Sequence, residues 1–368
     1  MKLTLKTLKL QEMVAKSIQG ASNNKMIPIT SLMAIQWKDG ILTLTTTDAA
    51  NTLKILDKME GEDFYVVLQT EIFSKLIAKT TTETITLNLK ENGLEVKGNG
   101  TYNIELPLDE EGKLIKFPEY KMDHAKAEKS TTTLPIIKTI LTANKAAVAN
   151  TMELPHFTGY YFDDDKVITT DTFKVCNNAV KVLPRKMLLP TDLVDLLSII
   201  DEEKIDIEIV KNKILFITKN VIIYGTEMGG INDYPIDAIE AYSQTAFENM
   251  CRLPKLATLN MLDRLSLFIS PYEKNSIYLT FSTDGLICSS KRSNGTELIK
   301  YQESTNFKPF ACSLDIAVLK TLISSQDGEV IELWYGQDQV IKMIDGKITQ
   351  IMALLEDDRA ETDGSSES

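Results

Sequence analysis

The strongest constraint on this chain is that it repeats itself. LQTEIFSKLIAKTTTETITLNLKENGLEVKG from Leu68, LPTDLVDLLSIIDEEKIDIEIVKNKILFITK from Leu189 and CSLDIAVLKTLISSQDGEVIELWYGQDQVIKM from Cys312 share one pattern at a spacing of about 120 residues. In each, a polar residue (Thr70, Thr191, Ser313) stands where it can cap a short amphipathic helix, and alternating apolar residues then predict strands split by a polar or Gly turn. A related unit precedes each of these. It opens with helical apolar periodicity (Leu10 to Ile18, Leu134 to Leu141, Leu253 to Phe268) and continues into IQWKDGILTLTTTD, YYFDDDKVITTD and IYLTFSTDGLICSS. Asp39-Gly40 and Asp284-Gly285 are hairpin signals, because Gly accepts positive φ.

Six helix-plus-strands units result. One short helix can just cover the apolar face of one small sheet, so the expected fold class is α+β: three tandem domains, each of two helix-plus-antiparallel-sheet modules, with sheets outside and helices inside. A length of 368 residues suits two or three domains. The polar stretches Asp123 to Ser130 and Tyr242 to Glu248 place them at 1–123, 124–245 and 246–356. The remainder, 357–368, is acidic and poor in apolar residues, and is expected to be a disordered tail.

Composition narrows the function by exclusion. Hydrophobic residues at 43% and charged residues at 25% support a folded chain. No apolar run approaches the ~18 residues of a membrane span, and the opening MKLTLKTLKL alternates Lys with Leu, unlike a signal peptide; a cytoplasmic location is expected. Cys176, Cys251, Cys288 and Cys312 are too scattered for a zinc site and are read as reduced core thiols. Two histidines, His124 and His156, leave little material for acid–base catalysis or metal chelation. Neither G-x-x-x-x-G-K-[ST] nor G-x-G-x-x-G occurs, so nucleotide chemistry would belong to a partner and no cofactor is expected.

A net charge of −12 argues against nucleic-acid binding unless the positive charges are gathered on one surface. The helices gather them. Lys9 and Lys16, Lys75 and Lys79, and Lys138 and Lys145 are pairs at seven- or four-residue spacing, each on one helical face. Arg252 and Lys255 are read as an i,i+3 pair on the fifth helix, with Lys320 on the sixth; the fourth, with Asp192 and Asp195, is acidic. Helices that all face one central space would give an acidic protein a basic lining suited to duplex DNA, through phosphate contacts that do not read sequence.

Four segments carry a resemblance: MKLTLKTLKL with IPITSLMAIQWKDGILTLTTTDAA, FTGYYFDDDKVITTDTFKV with VLPRK, GGINDYP, and LSLFISPYEKNSIYLTFSTDGLICSS. In order and spacing the chain resembles the bacterial DNA polymerase III beta-subunit family, over nearly its whole length to about Leu355. The resemblance implies a non-catalytic sliding clamp: a ring of two head-to-tail protomers around duplex DNA, opened by an ATP-using clamp loader, with polymerases docking by short peptides. It implies a peptide cleft at Phe157, Thr170, Phe173, Lys174, Val175 and Ile236 with Gln350, Ile351, Met352, Ala353 and Leu354. It implies further DNA contacts at Asn24 and Lys25 and at Arg185 and Lys186, and a ring contact joining Tyr102 and Ile104 to Phe268 and Ile269 of the other protomer.

The chain departs from the family in two places. Thr172, Phe173, Lys174 and Val175 stand where the family has a Gly-His-Arg-Leu-like stretch, and the last strand ends Ile-Met-Ala-Leu-Leu where Met-Pro-Met-Arg is common, which implies a reshaped cleft and a phage-encoded or divergent member. Two other readings compete. A hydrolase could use carboxylates among Asp163, Asp164 and Asp165 or at Asp233, but the first three sit at a hairpin turn, where solvated carboxylates are expected, and Asp48 and Asp171 recur at one place in the repeat like architecture. A repeat scaffold that binds only proteins is the second alternative, against which the basic helix faces speak.

Overall fold

The computed structural model describes residues 2–90, 93–269, 275–290, 294–337 and 339–356; the expected acidic tail at 357–368 lies outside them. The chain forms two compact units, one of Met1–Ile137 with Leu189–Glu227 and one of Lys138–Leu188 with Met228–Ser368. The middle third of the sequence is therefore shared between the two. Strand pairing explains why.

In the first unit, one sheet runs edge to edge through Phe64–Gln69, Leu32–Lys38, Ile41–Thr47, Thr52–Lys58, Val221–Thr226, Lys213–Ile217, Lys204–Val210 and Glu128–Thr133. Its centre is an antiparallel junction between strands far apart in sequence, with Leu53 opposite Ile223 and Ile55 opposite Val221. All four side chains are buried, so the junction is made by core residues as well as by the backbone ladder. The hairpin at Asp39-Gly40 has both residues at positive φ, 51° and 74°, the twist a two-residue turn needs between right-twisted strands. A second sheet orders Lys2–Lys6, Thr84–Lys90, Gly93–Lys97 and Thr101–Glu105. Helix α1 (Thr7–Ser17) buries Leu10, Met13 and Val14, and α2 (Thr70–Ala78) buries Phe73 and Ile77, the 3–4 spacing expected of helices lying on sheets.

Helix α3 (Leu134–Thr139) runs on through a π turn at Ile140–Asn144, which lies in the second unit. The buried Asn144 side chain donates to the carbonyls of Val167 at 3.0 Å and Cys176 at 3.3 Å, anchoring that helix to the sheet beneath. The sheet runs Met187–Pro190, Gly159–Phe162, Val167–Thr170, Lys174–Asn178, Ile348–Ala353, Val340–Asp345, Val330–Tyr335, Asn249–Pro254 and Glu303–Thr305. A separate sheet orders Thr296–Ile299, Gly285–Ser290, Ser276–Ser282 and Phe310–Asp315. The remaining helices are α4 (Thr191–Leu196), in the first unit, and α5 (Ile236–Gln244), α6 (Lys255–Ser266) and α7 (Ile316–Ser324), in the second. All four cysteines are free and buried, and burial pushes the thiols of Cys176, Cys251 and Cys288 up, that of Cys251 to about 12.

Several local structures differ from what the sequence pattern predicts. The cap of α7 is Asp315, whose carboxylate accepts from the Ala317 and Val318 amides at 2.8 and 3.0 Å; Ser313 lies in the preceding strand, which runs two residues further than the pattern suggests. Thr70 and Thr191 are first helical residues, not caps, and Gln69 and Pro190 precede them without a capping side chain. Helix α6 begins at Lys255, so Leu253 and Arg252 belong to a strand. Gly285 is the first residue of its strand and pairs with Ser282, so the turn is Thr283-Asp284. Asp163 is 7% exposed, not a solvated turn carboxylate, and Lys186 lies 3.3 Å from it.

Glu208, in the first unit, provides a pH test of the assembly. Its carboxylate accepts from His124 Nδ1 at 2.6 Å and from Lys129 at 2.9 Å. The His124 hydrogen bond foremost, and then Lys129, hold its carboxyl below the ordinary value of 4.5. A carboxyl lowered in the folded state adds stability that is fully present above its unfolded value and is lost as pH falls through the lowered one. Glu208→Gln is therefore expected to lower the thermal midpoint at neutral pH and to flatten its decline below about pH 4.5. A midpoint that drops equally at all pH values would refute this assignment.

Candidate functional sites: a groove, lysine-bearing helices and open sheet edges

The groove is built from a turn used twice. At Thr170–Lys174, Thr172 adopts φ 80°, Thr170 Oγ1 accepts from its amide at 3.1 Å, and Asp171 accepts from the amides of Phe173 and Lys174 at 3.0 and 2.9 Å. At Thr47–Asn51 the same pattern recurs around Ala49 at φ 84°, with Asp48 accepting from Ala50 and Asn51. Asp48 and Asp171 are thus turn formers in both places. In the second unit the turn throws the Phe173 side chain out to 68% exposure, while its carbonyl accepts from the Ala353 amide at 2.8 Å.

The adjoining strands pair in register, Lys174 opposite Met352, Val175 opposite Ile351 and Cys176 opposite Gln350. The residues that the sequence assigned to one cleft are divided between a groove and the core. Phe173, Met352, Ala353 and Leu354 line an open groove of about 410 Å³. Phe157, Val175 and Ile351 are instead packed with Tyr161, Tyr234 and Ile239 in a closed cluster, against which Ile236 lies. Gln350 is fully buried and bonds Gln326 and Ser325, and Thr170 is held in its turn. The groove also takes in Asp171, Ser276, Asp315, Val318, Leu355 and Glu356, which sequence reading missed. The signal available for Asp315 and Val318 was the cap and first turn of α7.

The lysines on the helices are mostly engaged. Lys9 lies 2.8 Å from Asp57, whose hydrogen bond raises the ammonium above its usual range. Lys16 lies 2.7 Å from Asp201 and Lys75 2.5 Å from Glu71. Lys79 and Lys138 are exposed, and Lys145 is exposed on the short turn after Asn144. Lys255 bonds the Gln326 carbonyl, and Lys320 pairs with Asp263. Arg252 is the correction here: it projects from a strand and pairs with Glu303 and Glu332 at 2.7 and 2.8 Å, so it is no part of a helical basic face. Asn24 and Lys25 are exposed on a loop, and Arg185 is partly buried next to the exposed Lys186.

Two of the edge strands matter for assembly. Thr101–Glu105 ends the first unit's four-stranded sheet, with Tyr102 43% exposed and Ile104 turned into the core. Thr296–Ile299 ends the second unit's four-stranded sheet, with Leu298 half exposed; Phe268 projects beside it, close to Gly295. The strand holding Leu298 went unnoticed in the sequence because its pattern is short and polar.

Helices laid on antiparallel sheets, repeated and spliced strand to strand, define the DNA-clamp fold. Residues 1–112 match the family DNA polymerase III beta subunit, N-terminal domain, and solved sliding clamps share the fold of the chain over nearly its whole length. The chain is similar to the DNA polymerase sliding clamp of Bacillus subtilis, at 19% identity over 97% of this chain and 99% of that one, with a TM-score of 0.84. The beta subunit of Streptococcus pyogenes DNA polymerase gives 13% identity, coverage of 97% and 100%, and a TM-score of 0.86. A DnaN sliding clamp of Pseudomonas aeruginosa bound to griselimycin gives 12%, coverage of 97% and 99%, and 0.85. No curated protein matches by sequence. Among the described residues no helix is long and apolar enough to cross a membrane.

Proposed function

We propose that this protein is a DNA sliding clamp: a non-catalytic processivity factor of three domains that encircles duplex DNA as a head-to-tail homodimer and tethers a DNA polymerase. The observation that carries the ring is the pattern of strand junctions. Each third of the sequence supplies one sheet ending in Thr52–Lys58, Lys174–Asn178 or Thr296–Ile299, and one ending in Thr101–Glu105, Val221–Thr226 or Ile348–Ala353. Thr52–Lys58 pairs with Val221–Thr226, and Lys174–Asn178 with Ile348–Ala353, both antiparallel. Each junction thus joins the first-type edge of one third to the second-type edge of the next. Thr296–Ile299 and Thr101–Glu105 are what remain, and the same rule joins them between two chains. Two chains linked twice in this way close a ring, with Tyr102 and Ile104 meeting Phe268, Ile269 and Leu298.

DNA would pass the helices that carry Lys9, Lys16, Lys75, Lys79, Lys138, Lys145 and Lys255, together with Asn24, Lys25, Arg185 and Lys186. Several of these ammonium groups already have carboxylate partners, so their hold on phosphate is weak and retention comes from topology. Polymerase and loader peptides would enter the groove at Phe173 and Met352–Leu354. The test is retention on closed circular against linearised DNA of one sequence, with a matching loader. Retention on the circle with loss on cutting is expected, and neutralising Lys75, Lys79, Lys138 and Lys145 together should shorten it. Equal, salt-sensitive binding to both forms would reduce the protein to a basic-patch binder, and no binding at all would favour a protein-only scaffold.

A further inference from the structure

The groove that the proposed function assigns to partner peptides carries a charge of its own. Its floor is apolar, from Phe173, Val318, Met352, Leu354 and Leu355, while its charged lining residues are Asp171, Asp315 and Glu356, with no Lys or Arg among them. Lys174 offsets part of this, its ammonium lying 3.4 Å from Asp171. Asp315 spends one oxygen on the first turn of α7, and Glu356 is exposed at the groove's end. The sequence beyond Glu356 adds Asp357, Asp358, Glu361, Asp363 and Glu367 against Arg359 alone, so it is acidic in composition as well.

An apolar trough rimmed on one sign selects against the same sign and draws in the other. We infer that the groove recognises a short segment that combines large apolar anchors with flanking lysine or arginine. This rests on the groove being the partner site. An acidic segment, including this chain's own end, is disfavoured there by like-charge repulsion. The cationic side chains would reach Asp315 and Glu356 while Leu and Phe side chains lie on Phe173, Val318 and Leu354.

The experiment measures fluorescence anisotropy of labelled Leu-Lys-Leu-Phe-Lys and Leu-Glu-Leu-Phe-Glu with the full chain at low salt. The lysine peptide should bind about tenfold more tightly, since two partly exposed charge contacts of the usual size give that ratio. In the triple variant Asp171→Asn, Asp315→Asn, Glu356→Gln the ratio should fall towards one; asparagine keeps the turn and cap acceptors, so the fold is preserved. Phe173→Ala should weaken both peptides alike, which places them in the groove. A ratio of one or below in the unaltered protein, or a ratio untouched by the triple variant, overturns the inference and leaves the groove standing. Failure of both peptides to bind, with retention on circular DNA intact, removes the groove reading and this inference together.

Discussion

Phe268→Asp combined with Leu298→Asp is expected to convert the proposed ring into single chains, raising the dissociation constant of the proposed dimer on the order of a thousandfold, because two unpaired carboxylates would be driven into an apolar contact. Both side chains are about half exposed in the single chain, 51% and 50%, so neither change opens a core and each unit should melt as before. The edge they would meet presents Tyr102, itself 43% exposed. Sedimentation equilibrium reads the result directly. A variant that remains dimeric would show that the chains join elsewhere and would withdraw the strand-junction rule; one that is monomeric should also lose retention on circular DNA while its affinity for groove peptides is unchanged.

The second large effect is on stability. Phe281 is 1% exposed and stacks on Tyr335 with ring centroids 3.8 Å apart and an interplanar angle of 14°. Phe310 completes the group at 6.0 Å. Burial among these rings pushes the Tyr335 phenol up to about 12. Phe281→Ala removes most of a large side chain from a packed interior that cannot collapse around the void, a loss of about 3–5 kcal/mol. The second unit should then melt on the order of 10 °C lower, with the first unit unchanged. Differential scanning calorimetry resolves the two, and a shift of less than about 3 °C would mean that the ring stack contributes little beyond its neighbours. The groove would weaken in step, because the Phe310–Asp315 strand that carries Asp315 borders this stack.

The fold was legible in the sequence wherever a local rule had no competitor. Asp39-Gly40 could only be a tight hairpin, and the 3–4 spacing of Leu10, Met13 and Val14 could only be a buried helix face. What the sequence concealed lies at ranges where no local signal exists. Nothing in KVCNN or ITQIMA says that these segments pair, yet Lys174 through Asn178 lie opposite Met352 through Ile348. The candidate groove was concealed in the same way: Phe173, Ala353 and Leu354 line it above Met352, which is also core at 2% exposure, whereas Val175 and Ile351 belong to a separate core cluster. Arg252 was misplaced because Leu253 continues an apolar rhythm that fits strand and helix equally until Pro254 interrupts it.

The splicing of sheets across distant sequence has a consequence for how the chain is made. A ribosome delivers residues in order, and the first unit cannot complete its eight-stranded sheet until Val221–Thr226 has emerged to meet Thr52–Lys58. The second unit waits longer, for Ile348–Ala353 to reach Lys174–Asn178. Until then the edges at Lys58 and Asn178 are bare templates, open to pairing with a neighbouring nascent chain. The same edge-to-edge habit that would close the finished ring is thus a hazard during synthesis, and a polysome crowded with half-made copies is where this protein would aggregate first.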